Sequence, residues 1–358
     1  MLAAVEQTRL RVSKNTEAKR KSRLGQFLTP VITAQFMASL LTSEGSLECR
    51  LLDAGAGIGS LSSAFLERCI DGELRFKIIE VTAFELDSLI HKELNDSLSS
   101  YKNRLPIVYE ILGDDFIEQA VNKIQFDFGN GYTHAILNPP YKKISNNSRH
   151  RLLLRQAGIE TVNLYSAFVA LALAMMEPGG QIVAIIPRSF CNGPYYRPFR
   201  DFVLERAAIR HMHLFNSRSK AFKDDDVLQE NIILLLERGG QQGDVTVTTS
   251  TDDSFADLVT HTHPFNRIVF PDDSERFIHV PTSAEHNAIE LSTAIRSSLE
   301  DVGIKVSTGP VVDFRLKEHL RDMPEPGAVP LLYPAHFAGQ NIEWPKQTWH
   351  QEAKCYPV

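Results

Sequence analysis

The chain has no apolar run approaching the roughly 18 residues that a membrane-spanning helix needs. The longest candidate, Ala167 to Met176, is far shorter and reads as a buried helix. Its N-terminus is polar and basic, without the apolar core of a signal peptide. The four cysteines (Cys49, Cys69, Cys191 and Cys355) lie far apart, which excludes paired zinc spacings and a dense disulfide framework. Internal repeats and low-complexity tracts are also missing. These absences lead us to expect a cytoplasmic chain with reduced thiols and no metal.

What is present suits an ordinary globular protein of two domains: 358 residues, 43% hydrophobic and 23% charged. The net charge of -6 argues at first against a polyanionic partner, but its distribution does not. Residues 1–30 carry seven Lys/Arg against Glu6 and Glu17, and residues 142–220 carry twelve against four acids. The remainder is strongly acidic. One polyanion-facing surface would produce this asymmetry, and so would solvated helix faces.

Strand-like and helix-like segments alternate after Pro30. Leu51–Asp53, Lys77–Phe84, Ile107–Leu112, His134–Leu137 and Gln181–Ile186 read as strands. Val31–Leu41, Ile58–Arg68, Asp87–Leu98, Tyr165–Met176 and Arg197–Arg206 read as helices, and Pro178-Gly179-Gly180 as a stop and turn. Ile209–Leu214 and Ile232–Leu236 add two strands, the last an antiparallel partner. The alternation predicts an α/β fold, a doubly wound, mostly parallel sheet with helices on both faces. After Gly239-Gly240-Gln241-Gln242-Gly243 the composition shifts towards Thr, Asp, His and Pro, with one clear helix near Ala284–Leu299. We therefore expect a basic arm at 1–24, a main domain at 25–245 and a smaller α+β region at 246–358.

The first strand runs into Asp53-Ala54-Gly55-Ala56-Gly57-Ile58-Gly59. Gly55 and Gly57 let the backbone turn sharply and approach a ligand at the carboxyl end of a strand. Asp53 would repel a pyrophosphate there but suits a ligand carrying an ammonium and a sulfonium. The second strand ends at Glu85, placed to accept the hydroxyl protons of a ribose. The third ends at Asp115-Phe116, offering a carboxylate for an adenine amine and a ring for its face. Each acid alone reads as a helix cap. Three at successive strand ends point to a pocket for S-adenosylmethionine.

The fourth strand empties into Asn138-Pro139-Pro140-Tyr141. Two prolines remove two backbone donors and stiffen the loop, leaving its carbonyls free to accept. The amine of adenine is conjugated with its ring and is a poor nucleophile. An amide oxygen (Asn138) and a carbonyl (Pro139) accepting its two N–H groups would favour a pyramidal nitrogen and stabilise the charge that develops on attack. Tyr141 supplies a face on which a base can stack.

Asp53 to Gly59, Glu85, Asp115-Phe116 and Asn138 to Tyr141, in that order, resemble the motifs of class I amino-methyltransferases. Gly25-Gln26-Phe27-Leu28-Thr29-Pro30 resembles the segment preceding the Gly-rich turn in gamma-class DNA adenine methyltransferases of restriction–modification systems. The resemblance implies Thr29 and Pro30 as cofactor contacts, and a second aromatic, here Phe222, sandwiching an extruded adenine against Tyr141. Val306 to Arg315 resembles the start of the target-recognition region in PstI-like and BsuBI-like methyltransferases, which implies that this chain ends inside that region. The implied activity is methyl transfer to adenine N6 in double-stranded DNA, by base flipping and direct in-line transfer, protecting DNA from a separate restriction endonuclease. No cysteine sits where cytosine C5 chemistry would need a thiolate. Arg149, Arg151, Arg155, Arg197 and Arg200 are candidate phosphate contacts. Two alternatives stay open: a methyltransferase of RNA or of protein glutamine, which presents the same planar amine, and a DNA-binding modification subunit inactive on its own.

Overall fold

The computed structural model describes residues 1–16, 27–43, 47–126, 129–216 and 230–283, and beyond these 299, 301–305, 317–321, 326–339, 341–344 and 355–357. The chain divides into two compact units, Met1–Glu285 and His286–Val358.

The first unit is built on a nine-stranded sheet of order β3-β2-β1-β4-β5-β7-β6-β8-β9. The strands are β1 (Glu48–Ala54), β2 (Ile78–Phe84), β3 (Ile107–Leu112), β4 (Tyr132–Leu137), β5 (Met176–Pro187), β6 (Ala207–Phe215), β7 (Asn231–Arg238), β8 (Val245–Ser250) and β9 (Val259–His263). Pairing is parallel from β3 through β5, and β7 inserts antiparallel to both β5 and β6. β1 and β4 are almost continuously buried because helices cover both sheet faces, which is why their sequences run apolar rather than alternate.

Helices α2 (Val31–Ser39), α3 (Ser60–Ile70) and α4 (His91–Ser99) pack one face through Met37, Phe65, Leu94 and Leu98. On the other face α5 (Phe116–Phe126), α6 (Arg149–Gln156), α7 (Leu164–Ala174) and α8 (Arg197–Arg206) bring Ile117, Leu154, Val169, Leu173 and Phe199. The α7 helix is apolar all round, as a helix buried on every side must be.

Three differences from the sequence reading have physical causes. Pro178-Gly179-Gly180 lies within β5 as an irregularity: the register jumps from Tyr132↔Met176 to His134↔Gln181, and Gly179 takes φ +81° to absorb the extra residues. The N-terminal arm is a helix, α1 (Leu2–Asn15), whose Val5 and Arg9 are buried. Its Glu6 holds Arg9 at 2.7 Å and accepts the Val31 N–H at 3.1 Å, capping α2 from outside. Finally, β8 and β9 extend the main sheet, β8 parallel to β6, so the compact unit runs some 40 residues past the composition shift near 245. Pairing with β6 is a long-range event that local composition does not signal.

In the second unit two short antiparallel pairs are described, Ala328–Pro330 with Cys355–Pro357 and Phe337–Ala338 with Asn341–Ile342. The expected helix near 284–299, apart from Leu299, and the segment 306–315 lie outside the described residues. No described helix is long and apolar enough to cross a membrane.

Candidate active site

The sheet order reverses between β1 and β4, so their carboxyl ends open a crevice, the place where such folds bind ligands. The Gly-rich turn leaves β1 there. Gly55, Gly57 and Gly59 take φ of +84°, +58° and +85°. Both Gly55 and Ala56 donate their N–H to the Phe84 carbonyl, at 2.9 and 2.8 Å, fastening the turn to the end of β2. The turn lies beside the end of β4, where a Cβ on Gly55 would make an ordinary van der Waals contact, 3.7 Å, with the Asn138 carbonyl oxygen.

A cavity of about 500 Å³ occupies this crevice. Its wall includes Gly55, Gly57, Glu85, Asp115, Phe116, Asn138 and Pro140, contributed by the ends of four successive parallel strands. Of the upstream segment, Phe27 and Leu28 form the wall. Thr29 lies beneath it, buried, with its hydroxyl 2.9 Å from Asn138 Nδ2; Pro30 starts α2.

Asp53 is fully buried. One oxygen accepts the Ser62 hydroxyl at 2.6 Å, and Oδ1 has no partner among the described residues. Burial pushes its carboxyl up to about 7 against the opposing Ser62 hydrogen bonds. Glu85 accepts the Gly57 N–H at 2.8 Å and the Asp87 N–H at 2.7 Å, one on each oxygen; burial raises its pKa, against these two bonds. Each of its oxygens keeps a lone pair for a further donor.

Asp115 meets His150 Nε2 at 2.9 Å and the Glu118 N–H at 3.2 Å. Burial alone would raise the Asp115 carboxyl, but His150 and the backbone donors outweigh it and hold it below the usual range, while His150 is raised by the same contact. Phe116 packs against Phe84 and Phe168, with ring centroids at 5.1 and 4.7 Å. His150, Phe84, Phe168, Leu86 and Ile144 also line the cavity and escaped the sequence reading. Phe84 and Leu86 flank Glu85, but the others come from distant segments and left no local signal.

Of the tetrapeptide, Asn138 and Pro140 line the cavity and Pro139 and Tyr141 do not; Asn138 Nδ2 donates to the Phe27 carbonyl at 3.1 Å and to Thr29 Oγ1 at 2.9 Å. The Tyr141 hydroxyl lies 3.2 Å from Asn138 Oδ1 and 3.1 Å from the Ile185 carbonyl, and its ring meets Tyr165 edge-on at 6.3 Å and Phe27 at 5.8 Å. Pro139 is buried. The Pro140 carbonyl already accepts the Lys142 N–H at 3.2 Å, so not every carbonyl of the stiffened loop is free. Residues 142–144 pair with 162–164, anchoring the basic flank.

The five arginines separate. Arg200 is fully buried and donates to the carbonyls of Phe190, Gly193 and Glu275, which rules out a phosphate contact. Arg151 is buried and bonded to Glu160. Arg149 is 75% exposed and pairs with Glu118 at 2.9 Å; Arg155 and Arg197 are half exposed and paired with acids. Phe222 lies outside the described residues.

The model of the Eco57I restriction-modification methylase family matches residues 5–222. Over 352 residues the chain is 51% identical to the type II methyltransferase M.BsuBI of Bacillus subtilis, covering 97% of this chain and 70% of that protein. It is 40% identical to the type II methyltransferase M.PstI of Providencia stuartii, over 91% of this chain and 65% of that one. A solved structure of a putative class I S-adenosylmethionine-dependent methyltransferase from Listeria monocytogenes, 12% identical, aligns at a TM-score of 0.53 over 71% of this chain and 73% of its own. The chain thus belongs to the Eco57I family of restriction-modification methylases, among the BsuBI- and PstI-like type II methyltransferases.

Proposed function

We propose that this protein transfers a methyl group from S-adenosylmethionine to the N6 amine of adenine in double-stranded DNA, the modification that shields DNA from a separate restriction endonuclease. The observation that carries it is the shared cavity: Asn138 and Pro140 open into the same space as Gly55, Glu85 and Asp115. An amine held at Asn138 and a cofactor held along the strand ends would therefore be neighbours.

The residues present fit that cofactor. Asp53 Oδ1, buried and without a partner among the described residues, has room for one further hydrogen bond, although Asp53 stands behind the cavity wall and not in it. The glycine turn makes a cradle that side chains would fill: a Cβ on Gly57 would meet Leu28 Cδ2 at 2.8 Å. Glu85 suits ribose hydroxyls, and Asp115 with Phe116 suits an adenine ring. When bound, S-adenosylmethionine supplies an electrophilic methyl group on a sulfonium.

The chain's own part is orientation and charge. Asn138 Oδ1 and the Pro139 carbonyl accept the two N–H groups of the target amine, turning its lone pair out of conjugation and offsetting the positive charge that grows on nitrogen. Extruding the base costs a few kcal/mol of stacking, returned in part by the Tyr141 face. At Cys49, Cys69 and Cys191 a covalent thiolate route is disfavoured by burial, which pushes the Cys69 and Cys191 thiols up to about 12 and Cys49 higher still.

Tritium transfer from labelled cofactor to unmodified duplex DNA, RNA or protein tests the substrate class. Label appearing only in RNA or protein overturns the DNA assignment. In Asn138→Ala, cofactor affinity stays within about twofold while methyl transfer falls by about 10²-fold or more, the loss typical of removing one charge-stabilising group.

A further inference from the structure

Asn138 is useful to the reaction only if its oxygen, not its nitrogen, meets the amine. A side-chain amide is nearly symmetric in shape, so packing alone does not choose between its two orientations. Here hydrogen bonding does. Both Nδ2 protons have acceptors: the Phe27 carbonyl at 3.1 Å and Thr29 Oγ1 at 2.9 Å. A carbonyl cannot donate, so flipping the amide would set Asn138 Oδ1 against the Phe27 oxygen and leave two acceptors facing each other. The nitrogen is thereby fixed on the 27–29 side, and Oδ1 is presented opposite, beside Tyr141. Drawing both N–H groups into acceptors also polarises the amide and makes its oxygen a stronger acceptor.

Resting on the proposed function, we infer that Thr29 is a positioning residue for the methyl-transfer step: it acts through Asn138, holding in place an amide whose orientation, oxygen towards the amine, is set by the Phe27 carbonyl. Thr29 is 5% exposed and the cavity wall at this point is Phe27 and Leu28, and its hydroxyl oxygen, set behind that wall, accepts from Asn138. Helix α1 serves the same end, since Glu6 grips the Val31 N–H two residues downstream of Thr29.

The test uses the full 358-residue chain, tritiated S-adenosylmethionine and unmodified genomic DNA under single-turnover conditions. Thr29→Val keeps the shape and removes the acceptor. The expected result is a roughly tenfold slower single-turnover rate with cofactor Kd within twofold of wild type, and Thr29→Ser within threefold of wild type. In an Asn138→Ala background the valine substitution should cost nothing further, because its effect runs through that amide. Where valine does not fold, Thr29→Ala carries the same expected split. A weakened cofactor Kd with an unchanged rate, or a tenfold loss that repeats without Asn138, overturns the inference. If the wild-type chain labels no adenine, the proposed function itself fails; if wild type and Thr29→Val label DNA equally, only the positioning role falls.

Discussion

Asp53 holds one hydrogen bond too few. Ser62 satisfies one oxygen, the other faces no donor among the described residues, and solvent is excluded. Ionising such a carboxyl is costly, so the ligand-free protein keeps the proton up to about pH 7. The unfolded chain releases it near the ordinary value of 3.8. A folded pKa raised in this way contributes stability in full below about pH 4 and loses it as pH rises towards 7. Asp53→Asn cannot titrate. The gap in unfolding free energy between the two proteins, measured by urea denaturation across pH 4 to 8, should therefore shift against wild type as pH rises. A gap that stays constant would show that Asp53 does not carry this proton. Asp53 was legible in the sequence as an acid before a glycine turn; Ser62, its partner in the first turn of α3, was not.

Glycine has different work in two elements. In the turn after β1, Gly57 takes φ +58°, a left-handed conformation that costs an L side chain about 1–2 kcal/mol. An added Cβ would also strike Leu28 Cδ2, a flexible methyl that can yield, but one that lines the cavity. Gly57→Ala should accordingly cost about 1–2 kcal/mol of stability and weaken cofactor binding as well. In the β5 irregularity, Gly179 takes φ +81° with open space where a Cβ would go. Gly179→Ala should cost about as much stability and leave cofactor affinity unchanged. Thermal melts and calorimetric titration of both variants separate the cases; equal losses of affinity would place the effect of Gly57 in the backbone alone. Both glycines could be read as turn formers from sequence. Which one approaches a ligand depends on what lies across from it.

Across the whole molecule, charge counts treated five arginines alike and burial divides them. Arg200 fills the space between α8 and the loop after β5, and without it the Phe190 and Glu275 carbonyls would lose their donor, while Gly193 would keep the Tyr196 N–H. At about 1 kcal/mol or more for each of the two orphaned carbonyls, Arg200→Ala should lose about 2 kcal/mol of stability or more. Arg149, exposed, paired with Glu118 and next in sequence to His150, should behave oppositely. Arg149→Ala leaves stability within about 0.5 kcal/mol, as surface changes do. If it contacts phosphate, it lowers the slope of log affinity against log salt by about one. An unchanged slope would remove Arg149 from the DNA face.

Most strands and helices of the first unit were legible because parallel strands buried on both faces read as apolar runs, and their ends carry Gly and acid. The antiparallel β7 was anticipated as well. The place of β8 and β9 in the sheet, the helical N-terminus and the β5 irregularity were not, because each depends on a partner far along the chain.

The sequence alone determined the residue types that do chemistry and their order at successive strand ends, since turn geometry and proline stiffness are local properties. Only the tertiary structure decided which of them share a cavity, that His150 grips Asp115, and that Phe27 and Thr29 hold the amide of Asn138. Those last contacts span 111 and 109 positions of sequence, and no local pattern reports a hydrogen bond made across that distance.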